Sequence, residues 1–415
     1  MNKEYKIAIV GLGYVGLPLA IAFSKFFKVV GFDINLDRIN SLNNSVDSNG
    51  DIEFLKNNSI LFTNNLHEIA DANVYIITVP TPVASNNAPD LGVLETASVM
   101  VANLLKKDDI VIYESTVYPG VTEDICVPIL ERGSTLKYNL DFYCGYSPER
   151  ISPGIDKYRL EDIVKITSGS NQKTAEEVDN LYNKIIKAGT YRASSIKVAE
   201  AAKAVENTQR DVNIALMNEL AMMFDKMDID TSEVLDAAKT KWNFLDFKPG
   251  LVGGHCIGVD PYYLLHKSEK MGYKPNLLYA SREINNSVPN FIVNKTIKFM
   301  VELDKSIQYS NILIFGYTFK ENCADTRNTK VKDIVEGLTS LSCKVKIFDP
   351  YINPSNSNNF ISLPFDDDVK YDAIIVAVAH DEFLKYSIDD FYKISNGKLV
   401  FLDIKGIYKE SNWKL

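Results

Sequence analysis

The segment from Ile7 to Asp33 constrains the fold of this chain more than any other. Ile7-Ala8-Ile9-Val10 reads as a buried strand, Leu17–Phe27 has helical apolar spacing, and a second strand, Val29–Phe32, ends on an acid, Asp33. Between the first strand and the helix stands Gly11-Leu12-Gly13-Tyr14-Val15-Gly16. A bare G-x-G-x-x-G string occurs by chance in turns. With a strand before it, a helix after it and an acid 22 residues past its first glycine, it predicts a dinucleotide-binding unit. Gly11 permits the tight turn, Gly13 leaves room for a pyrophosphate, and Gly16 lets the helix approach the strand. The helix N-terminus then offers N–H groups and partial positive charge to the phosphates, with Tyr14 and Val15 in the same loop. Asp33 can accept both ribose hydroxyls and repels a 2′-phosphate, which predicts NAD over NADP. Arg38 is near enough to soften that preference.

The rhythm of short apolar runs and helical patterns continues to about residue 190, with strands expected at Val74–Val79, Ile110–Glu114 and Phe142–Tyr146. Ligands of open α/β sheets sit at the carboxyl ends of strands, which puts Thr81 and Thr116 within reach of the cofactor. Thr and Pro also suit plain turns, and both readings stand. A second alternation begins near Asn311, with strands expected at Ile312–Gly316, Lys344–Phe348, Ala373–Ala377 and Leu399–Leu402. Residues 194–300 carry almost no strand signal, and Ser194–Met227 keeps helical periodicity without Gly or Pro, which predicts a spine helix. Asn353–Asp368 reads as a surface loop. The expected fold is α/β: two Rossmann-like doubly wound domains, residues 1–193 and 301–415, joined by a central α-helical domain, residues 194–300.

A chain of 415 residues exceeds what one core supports, and 46% hydrophobic with 24% charged residues suits a soluble globular protein. The net charge of −9 argues against a nucleic-acid partner, while leaving room for a local cationic pocket for a phosphorylated small molecule. No apolar run reaches the roughly 18 residues of a membrane span. No small-residue cleavage site follows the first apolar run, so no membrane partner and a cytoplasmic location are expected. The five cysteines are scattered without a CxxC pair and there are four histidines, so neither a disulfide framework nor a metal site is expected.

One cysteine differs from the rest. Cys256 stands in Gly253-Gly254-His255-Cys256-Ile257-Gly258-Val259-Asp260, where glycines let a substrate approach the backbone closely. That makes it a candidate nucleophile. A thiol beside a nicotinamide implies oxidation through an aldehyde: thiohemiacetal, then thioester, then acid. Asp260 is placed to orient water. His255 is either a base or an imidazole that only packs. On the spine helix, Glu200, Lys203, Asn207 and Arg210 form one polar stripe. It is either a solvated face or, given the small residues Ala199, Ala201, Ala202, Ala204 and Val205 around it, the wall of a cavity. In the second case Lys203 and Asn207 can stabilise an alkoxide.

Taken together, Gly11–Gly16, Ser115–Gly120, Ser147-Pro148-Glu149-Arg150, Lys197–Asn207, Gly253–Asp260 and Gly316–Arg327 resemble the UDP-glucose/GDP-mannose dehydrogenase family of nucleotide-sugar 6-dehydrogenases, from Ile7 to about Lys405. The resemblance implies an NAD-binding domain, a helical domain that forms a homodimer, and a domain for the UDP-sugar substrate. It implies two successive oxidations at sugar C6. Cys256 is then the nucleophile, Asp260 assists water, Lys203 and Asn207 stabilise oxyanions, Glu149 is a general base, and Thr116 positions water. It further places Arg150, Phe247, Gly250, Gly253, Arg282 and Lys320 with Glu149, Lys203 and Asn207 at the substrate, and Arg327 at NAD. UDP-glucose and GDP-mannose enzymes usually carry Cys-x-Pro-Lys-Asp; here the string is Cys256-Ile257-Gly258-Val259-Asp260. Together with Trp242–Leu245 and Ser281–Asn285, it resembles the subgroup acting on UDP-N-acetylglucosamine or UDP-N-acetylgalactosamine, feeding surface polysaccharide synthesis. UDP-glucose and UDP-N-acetylmannosamine are the alternative substrates, and an inactive NAD-binding regulatory protein is the alternative of a different class.

Overall fold

The structure, a computed structural model, describes residues 4–47, 60–84, 86–150, 159–365 and 369–415. Contacts divide the chain into two units, Met1–Glu206 with Tyr262–Tyr273, and Asn207–Pro261 with Lys274–Leu415.

In the first unit eight strands form one sheet: β1 (Lys6–Val10), β2 (Lys28–Phe32), β3 (Leu61–Thr63), β4 (Val74–Ile77), β5 (Asp109–Tyr113), β6 (Phe142–Tyr146), β7 (Lys165–Gly169) and β8 (Thr190–Arg192). Their order is β3-β2-β1-β4-β5-β6-β7-β8, parallel except for the β6–β7 pair. Ile7 to Val10 are buried throughout, because a parallel sheet is covered on both faces and needs a continuous apolar run. Helix α1 (Gly16–Ser24) buries Leu17, Leu19, Ala20 and Phe23 fully, in a core shared with Ile7 and Ile9. Each large side chain so buried contributes about 1.5–3 kcal/mol. Helices α2 (Leu36–Asn43), α3 (Gly92–Ala102), α4 (Val127–Ser134) and α5 (Gln172–Asn183) also belong to this unit. The sequence reading anticipates β1, β2, β4, β5 and β6 but not β3, β7 or β8. β3 and β8 are three residues long, and β7 buries Lys165, Thr167 and Ser168, so none carries an apolar period.

Helix α6 (Ile196–Lys226) runs 31 residues, close to the expected spine. Its buried polar side chains are Glu200, Lys203, Asn207, Thr208, Asp211 and Asn218. The stripe is therefore buried, with two corrections: Arg210 is exposed and Asp211 takes its place, and Val205 faces out rather than lining the stripe. The stripe follows the 3.6-residue period, which carries it from Asn207 to Asp211, one residue past Arg210. Helices α7 (Thr231–Lys239), α8 (Asp260–Lys270) and α9 (Asn276–Glu302) follow, and no strand occurs among residues 194–300. No helix among the described residues is long and apolar enough to cross a membrane.

The second sheet has the order β10-β9-β11-β12-β13, all parallel: β9 (Asn311–Phe315), β10 (Lys344–Phe348), β11 (Tyr371–Val376), β12 (Ser395–Asp403) and β13 (Trp413–Lys414). Alternate residues of β9 serve opposite faces. Ile312 and Ile314 join a core with residues of α9 and α10 (Val331–Ser340), whereas Leu313 and Phe315 join an aromatic cluster with Phe383, Phe391 and Phe401. Helix α11 (Ile388–Lys393) covers that second face through Phe391. The Asn353–Asp368 loop contains a short 3-10 turn at Pro354–Asn356, and its last three residues lie outside the described ones.

The two sheets repeat one local device. Gly11 N–H donates to Phe32 O and Leu12 N–H to Asp33 Oδ2; in the second sheet Gly316 N–H donates to Phe348 O and Tyr317 N–H to Asp349 Oδ2. Both glycines have positive φ, +97° and +85°. The acids differ in their remaining partners. Both oxygens of each acid accept backbone N–H groups, and Asp349 adds Thr318 N–H, Tyr351 N–H and buried His380 to its donors where Asp33 adds Asn35 N–H.

Candidate active site

The glycine loop has the shape a dinucleotide needs. A Cβ on Gly16 would fall 1.9 Å from Gly11 O, whereas a Cβ on Gly13 would meet nothing within 4 Å. The backbone is thus tight against the strand at Gly16 and open on the ligand side at Gly13. No side chain caps α1 at Val15, and the orphan N–H groups of a helix start are the usual anion site. The residues present fit the phosphates of NAD. Asp33 turns Oδ2 to Leu12 N–H and Oδ1 to Asn35 N–H. Arg38 donates through Nε to Leu12 O at 2.9 Å and pairs with buried Asp47 at 2.5 Å, so it braces the loop from behind. Sequence reasoning missed Thr78, whose hydroxyl donates to Gly11 O at 2.7 Å; its signal is a threonine just past the end of β4, beside β1. Thr81 and Thr116 come together, the Thr81 hydroxyl donating to Thr116 O at 2.6 Å, and Tyr263 Oη donates to Thr81 O.

The Ser147–Arg150 motif follows β6. Glu149 is buried, and its Oε2 lies 3.7 Å from the Nζ of equally buried Lys203 on α6. Arg150 binds Glu206 at 2.8 Å and Val164 O at 2.6 Å. Behind these residues is a buried ion pair that the sequence does not announce. Lys165 Nζ lies 2.6 Å from Glu114 Oε2, with side chains 3% and 1% exposed. Lys165 also donates to Pro148 O at 2.8 Å, and Tyr182 Oη donates to Glu114 Oε1. One ion pair therefore ties the strand end preceding Ser115-Thr116 to the peptide preceding Glu149.

Glu200 accepts from Gly120 N–H at 2.5 Å and Thr122 N–H at 2.9 Å, which gives it a bracing role within the polar stripe. Burial pushes its carboxyl up to about 7 against those two hydrogen bonds. The folded state then holds a proton that the unfolded carboxyl releases near its ordinary value. Glu200 stabilises the fold most below that ordinary value and progressively less as pH rises through 7. Urea unfolding at pH 5 and pH 8 is expected to show Glu200→Gln with a pH slope flatter by up to about 3 kcal/mol. Equal slopes would refute the buried, protonated carboxyl.

In the second unit, Cys256 sits in the turn before α8, its carbonyl accepting from Val259 N–H and Asp260 N–H. Cys126, Cys144 and Cys343 are buried; burial pushes the Cys126 thiol up to about 12. Cys256 and Cys323 are half-buried. Asp260 is buried and its Oδ2 accepts from Asn207 Nδ2 at 2.5 Å, so two of the expected catalytic residues are hydrogen-bonded partners. Gly253 and Gly254 have no room for a Cβ: it would lie 2.7 Å from Asn328 O and from the Phe319 ring, respectively. Gly250 is clamped by Asn218 through both its N–H and its carbonyl, and Phe247 is half-buried. Arg282 is buried in an ion pair with Asp211 at 2.5 Å, a pair that Asn285 also joins, so its guanidinium holds α9 to α6. Arg327 is exposed and binds both oxygens of Asp325. Lys320 lines a cleft with Gly253, Phe319, Lys330 and Lys405, of which Lys330 and Lys405 went unnoticed in the sequence as scattered single charges. Among the described residues no cluster of three or more His, Cys, Asp or Glu is arranged to hold a metal.

Comparison with known proteins places this arrangement. Residues 5–186 match the NAD binding domain of the UDP-glucose/GDP-mannose dehydrogenase family, residues 197–287 its central domain, and residues 313–410 its UDP binding domain. The UDP-N-acetyl-D-glucosamine 6-dehydrogenase of Salmonella typhi is 52% identical over 97% of this chain and 96% of its own length. The enzyme of the same name from Pseudomonas aeruginosa is 50% identical over 98% of each. The structure of UDP-D-ManNAc dehydrogenase from Pyrococcus horikoshii superposes with a TM-score of 0.90 at 30% identity, covering 99% of this chain and 98% of that one. With the glycine loop, the thiol loop and three successive domain matches in hand, the chain belongs to the UDP-glucose/GDP-mannose dehydrogenase family.

Proposed function

We propose that this chain oxidises the C6 hydroxyl of a UDP-N-acetylhexosamine to the uronic acid, in the cytoplasm, as a step toward surface polysaccharide. The observation that carries the substrate class is identity of about half, over nearly the full length, with two proteins named UDP-N-acetyl-D-glucosamine 6-dehydrogenase. That name favours the gluco over the galacto C4 configuration. Residues 1–193 would hold NAD, 194–300 form the helical domain, and 301–415 hold the sugar nucleotide; the cleft lined by Lys320, Lys330 and Lys405 would offer its diphosphate cations, in exchange for the Asp333 and Glu321 partners that Lys330 and Lys405 now hold.

Bound NAD would supply the hydride acceptor for each oxidation. Gly11, Gly13, Tyr14, Val15, Gly16, Asp33, Thr81 and Thr116 would surround it, and the family resemblance assigns Arg327 to the same cofactor. Lys203 and Asn207 would stabilise the alkoxide of the alcohol and then of the thiohemiacetal. Cys256 would carry the carbonyl carbon, and Asp260, Glu149 and Thr116 would serve the water that cleaves the thioester. The Asn207–Asp260 bond and the Glu149–Lys203 contact support these roles, since each holds a carboxylate in place beside an oxyanion-stabilising group. Arg282, Arg38 and Gly250 act by shaping the backbone around these groups. Incubation with UDP-N-acetylglucosamine and excess NAD is expected to release about two NADH per sugar, with an acid as product. One NADH and free aldehyde would overturn the thiol route. Preference for UDP-glucose in kcat/KM would overturn the substrate, and NAD binding without turnover of any UDP-sugar would restore the regulatory reading.

A homodimer is part of the same proposal. Val198, Val205, Leu216 and Met223 are exposed and fall on one face of α6 at spacings of 7, 11 and 7 residues. A monomeric mass in solution at micromolar concentration would overturn it.

A further inference from the structure

The Cys256 thiol has a partner that no role above uses. His255 Nδ1 lies 3.0 Å from Cys256 Sγ, and the ring's other nitrogen, Nε2, lies 3.9 Å from Asp325 Oδ2. Thiol and imidazole are thus within hydrogen-bond reach of each other, and the carboxylate stands beyond that reach as a negative charge beside the ring. The loop is built to keep them there. Gly254 takes φ +79°, and the Phe319 ring fills the space its Cβ would need. The same ring meets the imidazole edge-on, centroids 6.0 Å apart, and Asn328 Nδ2 donates to Gly254 O at 3.2 Å. Asp325 lies nearest the imidazole through Oδ2, Arg327 binds both oxygens of Asp325, and the Lys320 ammonium lies 5.7 Å from the Phe319 ring centre. Burial pushes the Asp325 carboxyl up, but the Arg327 hydrogen bonds and the neighbouring His255 outweigh it and hold it below the usual carboxylate range. It is an anion at neutral pH.

We infer that His255 is the catalytic base that takes the Cys256 thiol proton, with the nearby Asp325 carboxylate favouring the imidazolium that results. This rests on the reading of Cys256 as nucleophile. The step uses the neutral tautomer with the proton on Nε2, in which the Nδ1 lone pair accepts the Sγ–H. As the Sγ–C bond to the aldehyde carbon forms, the Sγ proton moves to Nδ1. The carbonyl π pair moves to oxygen, giving the thiohemiacetal alkoxide. The imidazolium is then stabilised by Asp325. An ordinary cysteine is only a few per cent thiolate at neutral pH, so a base in hydrogen-bond reach has a large effect to supply.

The test needs no sugar nucleotide. In full-length Cys323→Ser protein, the rate of iodoacetamide alkylation of Cys256 is followed against pH and located by peptide mass mapping. His255→Asn is expected to slow alkylation at pH 7 by about tenfold and to move the rise in rate to higher pH. Asp325→Asn, which leaves His255 in place, is expected to give a smaller loss in the same direction. Rate profiles of both variants that superpose on the parent would overturn the assignment, even if turnover is normal. A parent whose Cys256 alkylates as expected but which turns over no UDP-sugar would sink the functional reading and leave the His255 pair standing.

Discussion

Cys256→Ala is expected to abolish uronic acid formation, lowering its rate by on the order of 10⁴-fold or more while NAD binding is unchanged. The reason is chemical. An aldehyde bound without a nucleophile offers no tetrahedral alkoxide from which a second hydride can leave, so oxidation stops after the first NADH. The glycine loop proposed to hold NAD belongs to the other unit of the chain and contains none of the residues around Cys256. NADH per sugar, aldehyde trapping and acid yield distinguish the outcomes. A variant that still yields two NADH and an acid would exclude the thioester route.

The second large effect is on stability. Lys165→Met is expected to cost about 3–5 kcal/mol, because it leaves the Glu114 carboxylate buried with its counter-charge gone. Tyr182 Oη would remain as a donor to Glu114, and Pro148 O would lose one. The double variant Lys165→Met with Glu114→Gln is expected to recover most of the loss, since replacing a buried ion pair outright is often near neutral. Denaturant unfolding of the two variants reads this directly, and a double variant no more stable than the single one would refute the ion-pair account. Because the pair anchors the peptides beside Thr116 and Glu149, the single variant is also expected to lose activity under conditions where it is still folded.

Which parts of the site were visible in the sequence follows from how local their physics is. The glycine loop is local: turn, close approach and helix start are all dictated by side chains that are missing at Gly11, Gly13 and Gly16. The long helix is local too, since 31 residues of periodic spacing carry their own evidence. The short strands β3 and β8 are not, because three residues show no period and pair only after the rest of the sheet exists. Arg38, Arg282 and Lys165 look alike as isolated cations in a sequence. Each turns out to be fixed by a carboxylate brought from elsewhere: Asp47, Asp211 and Glu114.

By itself, then, the sequence determined the two doubly wound halves, the glycine loop, the spine helix and the glycine-flanked candidate thiol, since each depends mainly on local residue patterns. Tertiary structure alone decided which charges are buried and what they face. It turned Arg210 outward and Asp211 inward, joined Asn207 to Asp260, and set His255 between Cys256 and Asp325. Asn207 and Asp260 are 53 residues apart in the chain, and Asp211 and its partner Arg282 are 71 apart. A charge finds its partner only after distant segments have packed, and desolvation then makes the pairing obligatory.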